Sequence, residues 1–569
     1  MVRNISWTEA YERATEILVT LSVEDKAKLG AGKGWGAHSK EKYPVGFIGP
    51  IDAIPNFKGL ALQDAPTGIR FAVGVSAFPS SINVASTFDK DLMLKHGIAI
   101  GEEARGKGVH IWLGPCVNMA RSPLGGRIWE AQGADPYLAG VSAALQIKGV
   151  QSNGIIATVK HFILNDQEFA RNTQNSIIDD RTLREIYIKP FQMSVDAGVG
   201  AVMTSYNKVF GEYAGQSKFV ITDLLKTEIG FKGLVMTDWW GANSRTSRGD
   251  VASIANSGLD MIMPGDEEFA DMTQIWGDGK LAHLVTEGKV SQERLDDIAT
   301  RVLATWIKAG QNDGTFPECD VGASGKRDVQ GNHKNFIREV GAASTILLKN
   351  DGSLPIAKAV KKIAVIGTDA AAPKNGVYGG AAKKEGEPFS DHGCVDGTVA
   401  QGWGSGTTNF PYIIAPVDGI KSYACNNGIE VVSSLTNSVE EAALAAKDAD
   451  IAIVFVYANS GESYITFGET IEGDRISLNL WAGGNELVEA TANVQKTIVV
   501  IHAPGAVNVP WRHHENIVGI IFAGFPGQET GNSIADVLFG KTNPSGRLPF
   551  TINNLESDYG TSIITANEN

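Results

Sequence analysis

Up to about residue 310 the chain alternates amphipathic stretches with short apolar runs: 98–105 then 110–113, 138–150 then 155–159, 183–195 then 201–204, and 224–229 then 234–236. Helical spacing followed by a continuous apolar run is the pattern of βα units, whose parallel strands are covered on both faces. That order predicts a TIM-like (β/α) barrel over residues 1–312, and in such repeats the C-terminal strand ends share one face. Periodicity then fades into Gly, Pro, Asp and Ser, which predicts a linker at 313–335. Four further apolar runs, at 362–367, 450–456, 497–502 and 517–522, alternate with helical stretches such as 439–447 and 484–492. Residues 336–569 are therefore expected to form an α/β sandwich, a mostly parallel sheet with helices on both faces.

Composition narrows the function. At 569 residues the chain is too long for one core, and two large domains suit the two pattern blocks. The formal net charge of −14 repels phosphate backbones and anionic membrane surfaces, so nucleic acid and membrane are not expected partners, and a neutral small molecule fits better. No apolar run reaches the ~18 residues that span a bilayer, and the first residues lack the apolar core of a signal peptide. Cysteines 116, 319, 394 and 425 are widely spaced, and Asn4 heads the one N-x-S/T triplet. Both features lean toward an intracellular protein with free thiols. Neither a phosphate loop nor a metal-binding spacing is present, so no metal or organic cofactor is expected.

The most informative segment is Leu234-Val-Met-Thr-Asp-Trp-Trp-Gly241, an apolar strand that runs into a carboxylate flanked by two indole rings. Asp238 reads either as a cap for a following helix or as a nucleophile. Other polar residues follow the strands of the same half: Asp64, Arg127, Lys160 with His161, and Tyr206. Their convergence on one face suits a sugar, whose polar edges need hydrogen-bond partners and whose C–H faces need aromatic walls such as Trp35, Trp239 and Trp240. A retaining glycosidase also needs a second carboxylate roughly 5 Å from the nucleophile. The loop Tyr457-Ala-Asn-Ser-Gly-Glu-Ser-Tyr-Ile-Thr466 offers Glu462, and its continuation offers Glu469, Glu472 and Asp474; spacing leaves all four open. Burial in a domain cleft would raise the pKa of such an acid.

The combination of Leu62-Gln-Asp, Gly126-Arg-Ile-Trp-Glu, Lys160-His-Phe, Met203-Thr-Ser-Tyr-Asn, Met236-Thr-Asp-Trp and Ser460-Gly-Glu-Ser-Tyr resembles the family 3 glycoside hydrolases, specifically fungal-type β-glucosidases of cellulose degradation. The resemblance implies hydrolysis of terminal β-D-glucosyl residues from cellobiose, short β-glucans and aryl glucosides, by double displacement with retention. Matched by position, Asp238 is implied as nucleophile and Glu462 as acid/base. Asp64, Arg70, Arg127, Lys160, His161, Arg171 and Tyr206 are implied around the glucosyl unit, with Met203 as an apolar contact. Trp35, Trp239, Phe269 and Tyr464 resemble aromatic walls. Three departures stand out: Ala65 replaces a usual glycine, Cys394 lacks the disulfide partner of relatives, and the fibronectin-like third domain of many relatives has no counterpart. Relatives are often secreted, against the intracellular lean above. A β-xylosidase of the same family, which tends to carry a longer glutamate in place of Asp64, and a catalytically silent sugar-binding protein are the alternative functions.

Overall fold

The structure, a computed structural model, describes residues 5–34, 46–64, 66–242, 250–267, 273–374 and 396–565. Trp35, Ala65, Phe269 and Cys394 lie outside the described residues. The chain forms a two-part α/β fold built on two six-stranded mixed sheets.

The first sheet runs in the order β1 (Gly46–Ile48), β2 (Leu60–Gln63), β3 (Ile111–Trp112), β4 (Ile156–Phe162), β5 (Ala201–Thr204) and β6 (Leu234–Thr237). Neighbours are parallel from β2 onward, whereas β1 is antiparallel to β2. Beyond β6, Met261 bridges Met236 and Ile262 bridges Ala31, and Lys33 N–H donates to the Phe47 carbonyl at 2.9 Å. Strands β2 to β6 are buried along their whole length, as apolar runs covered on both faces must be. Leu62, Leu113, Met203, Met236 and Met263 fill one side, while Val159, Val202 and Val235 meet the helices on the other.

Those helices start where polar side chains can satisfy free N–H groups. Asp89 caps Lys90–Gly106 and Asp135 caps Pro136–Gln151, whose first-turn proline has no N–H to satisfy. The two helices touch backbone to backbone: a Cβ on Gly97 would lie 2.3 Å from the Gln146 carbonyl, so only glycine fits the crossing. The helix expected over 183–195 divides into a π-wound turn, Leu183–Tyr187, and an α-helix, Lys189–Asp196, because Pro190 cannot donate to the preceding turn. Residues 314–332 are irregular but packed down, and a helix, His333–Ala343, begins inside the segment expected as a linker. Gly322 N–H donates to Phe71 O and Val329 N–H to Gly74 O, both at 2.8 Å, and Asp320 pairs with the buried Lys107 at 2.9 Å.

The second sheet has the order β7 (Ile346–Asn350), β12 (Ile517–Phe522), β11 (Thr497–His502), β10 (Ile451–Tyr457), β8 (Lys362–Ile366) and β9 (Glu430–Ser434). All pairs are parallel except β7 with β12. Separate apolar clusters cover its two faces, one around Trp481 and Leu487 and the other around Ile420 and Ile534. Among the described residues no helix is long and apolar enough to cross a membrane.

Candidate active site

Asp238 sits just past the end of β6, buried, with no helix beginning among the described residues before Val251. It is not a helix cap; Asp250 takes that role for Val251–Asn256. Its Oδ1 accepts the Tyr206 hydroxyl at 3.0 Å and the Trp239 N–H at 2.7 Å. Its Oδ2 has no hydrogen-bond partner among the described residues and faces His161 Nε2 at 3.5 Å. Burial pushes this carboxyl up to about 6; Arg171 and Arg127 counter that only in part, and Glu462 adds to it.

A second polar group gathers on Asp64, after β2. Lys160 Nζ donates to Asp64 Oδ1 at 2.9 Å and Arg70 donates to Oδ2 at 3.4 Å. Arg70 also donates to the Tyr464 hydroxyl at 3.0 Å. Tyr464 comes from the second half of the chain and is 52% exposed, so it stands at the mouth rather than the floor. Burial opposes the charge of Lys160, but Asp64 outweighs it and the ammonium titrates above its ordinary range. Trp239 is half-buried beside the apolar interior, and Met203 lies wholly within it.

Glu462 follows β10 and is delivered across the boundary between the two halves. Its Oε1 accepts Arg171 Nη1 at 2.7 Å and Arg127 Nη1 at 3.2 Å, and its Oε2 accepts the Ser405 N–H at 2.7 Å. Arg171 also lies over the Tyr206 ring at 4.4 Å. Glu462, Arg171, Tyr206 and Asp238 thus form one continuous polar chain. The expectation that burial raises the pKa of Glu462 is corrected here. Burial does favour its neutral form, but Arg127, Arg171 and the Ser405 N–H overcome that and hold it well below the ordinary carboxylate range.

Sequence reasoning missed the residues that hold the two arginines. Glu130 takes Arg127 in a bidentate grip at 2.8 and 2.9 Å, and Glu168 takes Arg171 at 2.9 Å while accepting the Ser463 N–H at 3.0 Å. The signal was present: Arg127-x-x-Glu130 and Glu168-x-x-Arg171 are both i,i+3 pairs of opposite charge. Asp474, one of the four open carboxylates, has a different place. It is fully buried and collects the N–H groups of Gly126 (2.7 Å), Glu168 (2.9 Å) and Phe169 (2.8 Å), while Glu472 accepts the Ala170 N–H at 2.7 Å. The hairpin around Gly473 therefore pins the two loops that carry Arg127 and Arg171. A Cβ on Gly126 would lie 2.3 Å from the Gly461 carbonyl, so the approach also demands glycine. Among the described residues no cluster of three or more His, Cys, Asp or Glu could hold a metal ion, and Cys116, Cys319 and Cys425 are free thiols.

A buried carboxylate pair contributed by two α/β units, ringed by arginine, lysine, histidine and tyrosine, is the arrangement of a glycoside hydrolase. Two family models match the chain: the glycosyl hydrolase family 3 N-terminal domain over residues 59–305 and the family 3 C-terminal domain over residues 345–568. The chain belongs to glycosyl hydrolase family 3. It is 42% identical to the β-glucosidase cel3A of Pyricularia oryzae over 570 residues, covering 99% of this chain and 74% of that protein. It is 40% identical to β-glucosidase 1 of Aspergillus aculeatus, covering 98% and 67%. Among solved structures it is similar to the β-glucosidase D2-BGL of Chaetomella raphigera, with a TM-score of 0.91 at 40% identity, covering 99% of this chain and 76% of that one.

Proposed function

We propose that the chain is a retaining β-glucosidase acting on terminal β-D-glucosyl residues of cellobiose, short β-glucans and aryl glucosides. One observation carries the reading: two buried carboxylates from different halves of the molecule, Asp238 and Glu462, share one polar chain through Tyr206 and Arg171. Asp238 attacks the anomeric carbon; the C1–O bond breaks as Glu462 gives its proton to the departing oxygen. Water then adds to C1, losing a proton to Glu462 and releasing Asp238. Asp64, flanked by Lys160 and Arg70, offers its carboxylate to two sugar hydroxyls, and Arg127, Arg171, Tyr206 and His161 complete the first subsite. Met203 is the apolar contact beneath it, with Trp239 and Tyr464 on the leaving-group side.

The same reading gives the domains. A TIM-like barrel spans 1–312, its six strands joined through the bridging segments near Ala31 and Ile262; a linker covers 313–335, and an α/β sandwich covers 336–569. The names of the family relatives support the substrate class. Asp238→Ala tests the assignment: turnover of an aryl β-glucoside should fall by about four orders of magnitude or more with the fold intact by circular dichroism. Turnover within tenfold of the unaltered enzyme rejects it.

A further inference from the structure

His161 is gripped on the side away from Asp238 by Asn118. The Asn118 Oδ1 accepts the His161 main-chain N–H at 2.8 Å, and its Nδ2 donates to the His161 carbonyl at 3.1 Å. A main-chain N–H only donates and a carbonyl only accepts, so these two bonds orient the carboxamide without reference to the ring. The same Oδ1 lies 3.1 Å from His161 Nδ1. A carboxamide oxygen offers no proton, so Nδ1 must carry the hydrogen. Cys116 makes no rival demand. Burial pushes its thiol up to about 12, so it stays protonated, with Sγ 3.6 Å from Asn118 Oδ1 and 4.0 Å from Nδ1.

The charged groups around the ring keep it neutral. Burial acts first, and Arg127, Lys160 and Arg171 add to it against the opposing charge of Glu462, so the imidazole titrates well below its ordinary range. Asp238 faces it from β6 at 3.5 Å. A neutral ring with hydrogen on Nδ1 has a bare Nε2, and that lone pair is what faces Asp238 Oδ2.

We propose that Asn118 is a positioning residue that locks His161 in its Nδ1–H tautomer, making Nε2 an obligatory acceptor for a substrate hydroxyl and leaving Asp238 Oδ2 free of hydrogen bonds as the attacking atom. This rests on Asp238 being the nucleophile. The asymmetry of that carboxylate follows: Oδ1 holds the Tyr206 and Trp239 donors, which fix the group, while Oδ2 keeps its lone pairs. The opposite tautomer would place Nε2–H on Oδ2, stabilising the carboxylate and blunting it. It would also let the ring donate to the sugar; as built, the hydroxyl beside it must donate instead.

Two measurements decide the matter. In the intact enzyme labelled with 15N-histidine, the His161 pair, identified by its loss in His161→Gln, should show a protonated Nδ1 and an unprotonated Nε2 near neutral pH. A protonated Nε2 overturns the proposal whatever the kinetics say. In Asn118→Leu the lock is gone and Nε2–H can bond Asp238. The kcat/KM for 2,4-dinitrophenyl β-glucoside should fall about 10- to 100-fold, and the pH at which activity rises should move toward acid by about one unit or more. A fall in rate with no movement of that pH leaves Asn118 a packing residue and also overturns the proposal. Failure of the nucleophile assignment is separable, since it shows as retained turnover in Asp238→Ala while the histidine spectrum is unaffected.

Discussion

The sharpest consequence of the site is that its two carboxylates titrate in reverse order. Retaining chemistry needs Asp238 ionised and Glu462 protonated at the same moment. Yet Asp238 is pushed up to about 6, and Glu462 is held well below 4.5. Moving Asp238 from 3.8 to about 6 costs its charged form about 3 kcal/mol. With Asp238 raised and Glu462 lowered, the productive arrangement is the minor one of the two singly protonated forms. Glu462→Gln exposes this directly. The introduced carboxamide cannot titrate, so with a 2,4-dinitrophenyl β-glucoside, whose leaving group needs no acid, only the nucleophile shapes kcat/KM against pH. Removing the charge of Glu462 also removes one of the causes that raise Asp238. The curve should therefore be a single rise with its midpoint at or somewhat below about 6 and a plateau beyond it, while the unaltered enzyme acting on a glucoside whose leaving group needs the acid gives a bell with its maximum on the acid side of about 6. A midpoint below about 4.5, or a surviving alkaline limb, refutes the reverse order.

Two further expectations follow from the contacts that frame the site. Asp474→Asn replaces an acceptor of three main-chain N–H groups with a side chain that is half donor; the loops carrying Arg127 and Arg171 should loosen, lowering kcat about 10- to 100-fold with a smaller change in KM, and moving the pH optimum toward alkali as Glu462 loses its arginines. Unchanged kinetics and optimum would remove Asp474 from the account. His333 bonds Glu103 at 2.7 Å and Glu102 at 3.0 Å, and although burial disfavours its charge, these carboxylates raise its pKa above 6.5. A raised histidine contributes stability that is fully present below its unfolded pKa and lost as pH climbs through the folded one. His333→Gln should therefore lower the denaturation midpoint more at pH 5.5 than at pH 9; an equal loss at both contradicts the ion-pair role.

How far the sequence carried these conclusions depends on the range of the interactions. Asp238, Lys160, His161 and Tyr206 were legible because each follows an apolar run, and a strand end is a local property. The pairing of Arg127 with Glu130 and of Arg171 with Glu168 was also written locally, at i,i+3 spacing, although it was not used. The protonation order was not legible. The field that lowers Glu462 comes from arginines 335 and 291 positions away, and the one that raises Asp238 is burial produced by the whole fold. Asp474 shows the same boundary: composition marked it as one of four acidic candidates, and only the three main-chain donors converging on it separate a clamp from a catalyst.

The measurement that reaches the central claim most directly is covalent trapping. An activated 2-deoxy-2-fluoro-β-glucoside slows both chemical steps, the second most, so a nucleophile that forms a glycosyl-enzyme accumulates it. Peptide mass spectrometry of the inactivated protein should place one fluoroglucosyl group on the peptide that contains Asp238, with competing glucose protecting it. A label on another carboxylate, or rapid turnover of the activated substrate without any adduct, would contradict the account.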